Sequence, residues 1–320
     1  MYDITAIGEV LVDFSAQKSE KGHISFNGTA GGAPCNVLAQ AAKLGAKTAF
    51  IGVVGDDLFG KFLKGELMNC GISIEGLIFT SECNTTLTFV INDENGERSF
   101  EFFRKPGADT LLRFNDVKYE IIEKSRIFHY GSVAMSKEPC RSTLFEVLER
   151  VKNSNKIISY DPNLRFSIWD DIEDLHRYAI KGMEYADVLK FSEDELEFLT
   201  DETEMDKGVD KIQKKYGPKL VIITRGRKGC RYYFDGRCGE NPGYKVTAVD
   251  TTGAGDSFLG ALLYRLLECD SLNNLRFDSL KEYVDFANAA GALSTTRKGT
   301  MSAMPLLTEI EYCRKTGLTY

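Results

Sequence analysis

The 320-residue chain has no Cys-x-x-Cys pair, only three histidines and a single tryptophan. Its eight cysteines are scattered from Cys35 to Cys313. Zinc clusters and disulfide frameworks need grouped Cys or His, so both are excluded, and the cysteines read as reduced, mostly buried thiols. No stretch reaches the ~18 apolar residues of a membrane span. Asp3 and Glu9 interrupt the first apolar run, where a secretory signal would continue. Positive charge is not in excess: 40 Lys and Arg against 47 Asp and Glu leave −7, which argues against a general nucleic-acid binder. Internal repeats and linkers rich in Pro, Gly or Ser are lacking too. These absences lead to the expectation of a soluble, cytoplasmic protein with no nucleic-acid or membrane partner. What is present is 43% apolar side chains, in a chain long enough to bury roughly 75% of its extended surface without staples.

Short β-branched or aromatic runs alternate with amphipathic stretches of helical length. Ile4–Gly8, Thr48–Val54, Ile127–Gly131, Lys156–Asp161, Ala186–Phe191 and Lys219–Thr224 read as strands. Asn36–Leu44, Leu58–Cys70, Arg141–Lys152, Asp206–Tyr216, Ser257–Glu268 and Tyr283–Thr296 read as helices. In Arg141–Lys152, for instance, Leu144, Val147, Leu148 and Val151 form one apolar stripe. Strands apolar on both faces, such as LVIIT, need helices on both sides, so the pattern predicts an α/β/α sandwich with a mainly parallel sheet. Two segments break the rhythm. Residues 12–30 hold strand-like pieces, and Leu87–Phe103 predicts a hairpin turning at Asn95-Gly96. Extra strands without helices of their own, read here as antiparallel, must lie over a ligand cleft or a second subunit.

Two glycine loops are near misses for familiar phosphate motifs. Gly55–Lys61 fits GxxxxGK, but Phe62 stands where Ser or Thr should hold magnesium, and two aspartates lie inside the loop. It reads as the turn that starts the helix at Leu58. Gly253-Ala254-Gly255 begins a dinucleotide fingerprint, but Phe258 replaces its third glycine. That loop still precedes a strong helix, whose first N–H groups lack intrahelical partners and favour an anion. Asp256 beside such an anion hole suits accepting a proton from an attacking hydroxyl. It could equally cap the helix.

The stretch DTTGAGDSF (Asp250–Phe258) strongly resembles the C-terminal signature of the PfkB (ribokinase-like) carbohydrate kinases. GGAPCN (Gly31–Asn36) followed by GVVGDDLFG (Gly52–Gly60) resembles their N-terminal signature. The likeness runs over nearly the whole chain. FFRKPGAD (Phe102–Asp109), IFHYGS (Ile127–Ser132), SYDPNLR (Ser159–Arg165) with Trp169, and KGCRYY (Lys228–Tyr233) turn it toward fructokinases.

The resemblance implies a single kinase domain over 1–320, with lid segments at about 12–30 and 83–108 inserted into the α/β core. It implies transfer of the γ-phosphoryl group of ATP to a primary hydroxyl of a sugar. Asp256 would be the base, and the amides of Gly253, Ala254 and Gly255 the anion hole. Asp13, Gly31, Gly32 and Asn36 would bind sugar. Arg104 and Arg165, whose forks suit sugar oxygens or phosphates, are candidates for the same task and legible also as surface arginines. Thr224, Gly226, Gly229, Gly255 and Asn288 would meet ATP. Mg2+ would accompany the nucleotide, with Glu195 orienting its water. Asp250, Thr252, Ser294 and Gly299 would hold a monovalent cation, K+, mostly by carbonyl oxygens. One departure stands out: the family's Asn-x-x-Glu is here Ser192-Glu193-Asp194-Glu195. The family's lids often pair two subunits, so a homodimer is implied.

Fructose is the leading acceptor, with 2-keto-3-deoxygluconate and ribose as alternatives within the class. Outside it, a sugar-binding sensor that has lost activity on the same fold is the competing reading.

Overall fold

The computed structural model describes residues 1–18, 23–92 and 98–317. Strand β1 (Tyr2–Ile7) leads through Gly8 to β2 (Leu11–Lys18), β3 (Ile24–Gly31) and helix α1 (Ala33–Lys43). Next come β4 (Thr48–Gly55), α2 (Leu58–Asn69), β5 (Ile72–Thr80), β6 (Leu87–Asn92) and β7 (Arg98–Phe103). The short α3 (Tyr119–Glu123) precedes β8 (Ser125–Gly131), α4 (Cys140–Val151), β9 (Ile157–Asp161), α5 (Ile172–Met183), β10 (Val188–Ser192) and α6 (Glu193–Thr200). The described chain continues with α7 (Met205–Tyr216), β11 (Leu220–Thr224), β12 (Cys230–Phe234) and β13 (Arg237–Asn241). Helices α8 (Ala254–Leu266), α9 (Phe277–Ser294) and α10 (Leu307–Thr316) follow.

Nine strands form one sheet in the order β13-β12-β11-β10-β9-β8-β1-β4-β5. Its β1, β4, β5 and β8–β11 are parallel, and β12 runs against them, pairing antiparallel with β11 and with the edge strand β13. Each face buries its own core. One gathers α1, α2, α8, α9 and α10, the other α3 to α7. This is the predicted three-layer sandwich, and the six predicted strands all lie in it. Strands β5, β12 and β13 were not anticipated. Among the cysteines, four are buried, three half-buried and Cys238 exposed, so the expectation of mostly buried thiols holds for only half of them.

The remaining strands form a second sheet, β3-β2-β6-β7. The Leu87–Phe103 hairpin is present as β6 and β7, and its Asn95-Gly96 turn lies outside the described residues. The second sheet is not antiparallel throughout, because β2 and β6 pair in parallel. Both follow parallel strands of the main sheet, β1 and β5, and leave it in the same direction. The GxxxxGK segment is the helix start expected of it. Asp57 caps α2 by accepting from Gly60 N–H at 2.8 Å, and its other oxygen holds Thr85 N–H at the base of β6.

Candidate active site

The C-terminal ends of parallel strands, where ligands bind in open α/β sheets, here point at the start of α8. Gly253 occupies the N-cap position with φ 77°, a left-handed conformation that needs glycine. No side chain caps the helix. Among the described residues, the N–H groups of Gly253, Gly255 and Asp256 have no protein acceptor, whereas Ala254 N–H reaches Thr251 O at 3.3 Å. Of the three amides that the resemblance implies for the anion hole, those of Gly253 and Gly255 are open, as is that of Asp256, while that of Ala254 is turned to Thr251.

Asp256 is buried, and it is not the cap: it sits in the first turn, its Oδ2 accepting from Asn36 Nδ2 at 2.8 Å. That contact exists because α1 and α8 pack closely. A Cβ on Gly260 would lie 2.4 Å from Val37 O, and Ser257 Oγ donates to Gln40 at 2.8 Å. Burial, and secondarily the Asp161 charge, push the Asp256 carboxyl up to about 6, against the pull of Asn36, Lys190 and Arg165. A carboxylate of that basicity is ionised at neutral pH yet a better proton acceptor than a free one.

Asp13, opposite Thr88 in the β2–β6 register, faces the same space. Burial raises it to about 7, opposed first by Arg165. Gly31 is glycine because a Cβ there would lie 2.1 Å from Asp13 Oδ2. Gly32, at φ 114°, caps α1, and a Cβ would meet Glu9 O at 2.5 Å. Asp13, Gly31, Gly32, Asn36, Asp256 and Arg165 are thus brought together. Asn36 Oδ1 is buried without a protein partner, an acceptor suited to a hydroxyl.

Arg104 is neither a surface residue nor a free fork. It is buried, with Nε 2.8 Å from Asp109 Oδ2 and Nη1 2.7 Å from Ser136 Oγ. Nη2 also pairs with Asp109, at 2.7 Å. Asp109 in turn accepts from Thr86 Oγ1. This cluster anchors the base of β6 and β7 to the segment after β8. Nearby, Glu9 accepts from Ala33 N–H at 3.0 Å, and burial raises its carboxyl to about 7.

Thr224, at the end of β11, donates to Phe191 O at 3.1 Å, and Gly226 follows in a left-handed turn (φ 53°). Gly229 serves packing: at φ 92° its missing Cβ would lie 2.1 Å from Asn241 O. Asn288 clamps that same loop, its Nδ2 donating to Asn241 Oδ1 at 2.9 Å and Pro242 O at 3.2 Å. These two residues shape the loop after β13, beside the Thr224–Gly226 turn, through contacts within the protein. Asp250 accepts from Thr252 N–H at 3.0 Å and Gly299 N–H at 3.4 Å, so three of the four proposed cation residues converge. Ser294 turns its hydroxyl back to Gly291 O, at 2.9 Å. Glu195 forms a capping box with Ser192, and its other oxygen accepts from Leu164 N–H at 2.7 Å. Each carboxylate oxygen thus already holds a backbone N–H.

Two residues with no assigned role from the sequence stand beneath the start of α8. Lys190 on β10 and Asp161 at the end of β9 are buried and paired, Nζ to Oδ2 at 2.6 Å. Asp161 lay inside a quoted motif, and Lys190 precedes Ser192-Glu193-Asp194-Glu195 by two positions, but a lone lysine in an apolar strand gave no signal of its partner.

The model of the pfkB family carbohydrate kinases matches residues 1–307. The chain is 42% identical over 311 residues to probable fructokinase-5 of Arabidopsis thaliana, covering 94% of each chain. A fructokinase from Xylella fastidiosa, solved with bound ATP, superposes with a TM-score of 0.92 at 32% identity, covering 99% of both chains. A double mutant of a Vibrio cholerae O395 fructokinase, solved with fructose, ADP and potassium, gives 0.88 at 34% identity, covering 97% of this chain and 98% of that one.

Proposed function

Because this chain belongs to the pfkB family of carbohydrate kinases, we propose that it phosphorylates D-fructose at the 6-hydroxyl, using ATP. Its class is that of an ATP-dependent phosphotransferase acting on a sugar hydroxyl. The observation that carries the reading is Asp256: a buried carboxylate, raised to about 6, in the first turn of a helix with open N–H donors.

In the reaction, Asp256 takes the proton of the attacking hydroxyl as its oxygen bonds to the γ-phosphorus and the bond to the ADP oxygen breaks. The N–H groups of Gly253, Gly255 and Asp256 face the charge that builds on the phosphoryl oxygens; phosphoryl transfer is mainly positioning and charge stabilisation of this kind. Asp13 and Asn36 accept from and donate to sugar hydroxyls, with Gly31 and Gly32 keeping the backbone close. Arg165 serves the same pocket. ATP lies along Thr224, Gly226 and the loop held by Gly229 and Asn288.

Magnesium brought by the nucleotide would draw charge from its phosphates. Among the described residues no group of three or more His, Cys, Asp or Glu is placed to hold a metal, which fits an ion ligated largely by phosphate and water. Glu195 would orient such water with lone pairs not used by Ser192 and Leu164. Asp250, Thr252 and Gly299, drawn together by the Asp250 carboxylate, would hold a potassium ion through their carbonyl oxygens, with the Ser294 carbonyl as the fourth ligand.

The second sheet would act as a lid, excluding water as a competing acceptor. On its face Phe89 makes ring contacts with Phe14, Phe26 and Phe103, and Phe26 and Phe103 are 48% and 60% exposed. An apolar face of this kind supports a homodimer through the lid. No helix among the described residues is long and apolar enough to cross a membrane, and we place the enzyme in the cytoplasm.

An ADP-release assay with ATP and magnesium across D-fructose, D-ribose and 2-keto-3-deoxygluconate tests the substrate. Turnover strongest on fructose is expected. Preference for another acceptor would replace fructose, and silence on all with sugar binding retained would favour the sensor.

A further inference from the structure

The kinase reading leaves the Lys190–Asp161 pair without a task, and its hydrogen bonding is incomplete. An ammonium carries three donors. Among the described residues that of Lys190 makes one hydrogen bond, to Asp161 Oδ2 at 2.6 Å. Asp161 Oδ1 is buried and has no hydrogen-bond partner among the described residues. Structural ion pairs deep in a protein hold together only when their remaining donors and acceptors are satisfied. Here they are not.

The location says what the spare donors could meet. A Cβ on Gly255 would lie 3.1 Å from Lys190 Nζ and 3.3 Å from its Cε. The lysine therefore presses directly against the backbone of the anion hole. Three carboxylates act on it, Asp161 most strongly and then Glu195 and Asp256. Of the other titratable side chains beside the pair, His129 on β8 is kept neutral by burial, its value pushed down to about 3, and burial also raises the Tyr160 hydroxyl and keeps it neutral. Arg165 is a second cation acting on Asp256. A transferring phosphoryl group would bring more negative charge to a site already crowded with carboxylates.

Resting on the phosphotransfer reading, we infer that Lys190 is a further catalytic residue: its two spare N–H donors take oxygens of the transferring phosphoryl group at Gly255. Asp161 is its positioning residue. By holding one donor, it keeps the ammonium from collapsing onto Asp256 and quenching the base. Gly255 is required partly to leave room for this cation.

The test compares wild type, Lys190→Met and the double variant Lys190→Met/Asp161→Asn, which removes both charges and so avoids a lone buried carboxylate. Calorimetric titration with adenosine, ADP and ATP is paired with kcat, each rate being divided by the adenosine binding stoichiometry. That stoichiometry counts folded sites, so a partly unfolded preparation still gives an answer. The inference expects adenosine affinity within threefold of wild type in both variants, with ATP affinity at least tenfold weaker, kcat per site at least ~10²-fold lower, or both. ATP affinity and kcat per site both within threefold of wild type in the double variant would overturn it, making the pair structural. A wild-type enzyme that turns over no sugar would instead overturn the kinase reading itself, independently of Lys190.

Discussion

Asn36 Nδ2 lies 2.8 Å from Asp256 Oδ2, joining residues 220 positions apart. One belongs to the first helix, the other to the first turn of α8, and the bond brings the sugar loop and the proposed base into one site. It also lowers the basicity that burial imposes on Asp256. Asn36→Ala is therefore expected to move the acid limb of kcat to higher pH and to lower kcat at pH 7 about tenfold. An unmoved limb in the pH–rate profile would separate Asn36 from the base.

The raised carboxyls give a signed pH dependence. Asp256 near 6 and Asp13 near 7 must both be ionised in the free enzyme, one to take a proton and the other to accept a sugar hydroxyl. kcat/KM is expected to fall below about pH 7, and more steeply below about pH 6, where a second proton binds. Stability runs the other way. Their ordinary values near 4 lie below the folded ones, so the protonated forms favour the fold. That contribution is full below about pH 4 and is lost as pH rises through 6 to 7. Thermal melts of the ligand-free protein across pH 5–8 read it directly, most clearly as the difference between wild type and Asp13→Asn.

Asp13→Ala should raise the sugar KM by ~10²-fold and leave the ATP KM within threefold, as expected when a charged partner of a hydroxyl is lost. Gly31→Ala should do the same by displacement, since its Cβ would fall 2.1 Å from Asp13 Oδ2. Steady-state kinetics with each substrate varied in turn distinguish the two sites.

Arg104→Met tests whether the buried Arg104 serves Asp109 or the sugar. If Arg104 holds Asp109 rather than sugar, its loss leaves a buried carboxylate unpaired and costs about 3–5 kcal/mol of stability. Denaturant unfolding should show it. Full stability with a raised sugar KM would return Arg104 to the pocket.

What could be read from the sequence divides along physical lines. Strands such as LVIIT and helices such as α4 carry strong periodicity, and they were legible because burial on both faces or on one stripe dictates it. Strands β5 and β13 were not, because edge positions relax that demand: β5 alternates around Gly76, and β13 is RCGEN. The open helix start at Gly253 and the carboxylate of Asp256 in its first turn could be read from small residues and an aspartate preceding a strong helix. Pairings made by topology left no local trace. Arg104 with Ser136 and Lys190 with Asp161 depend on which strands and loops end up adjacent, as does the Gly229 contact with Asn241.

The most direct test of the account is the turnover of Asp256→Asn with fructose and ATP, alongside calorimetric affinities for both. The amide keeps shape and polarity but cannot take the proton, so kcat should drop at least ~10²-fold with both affinities within threefold of wild type. An unchanged kcat would contradict Asp256 as the base, and with it the mechanism built on the start of α8.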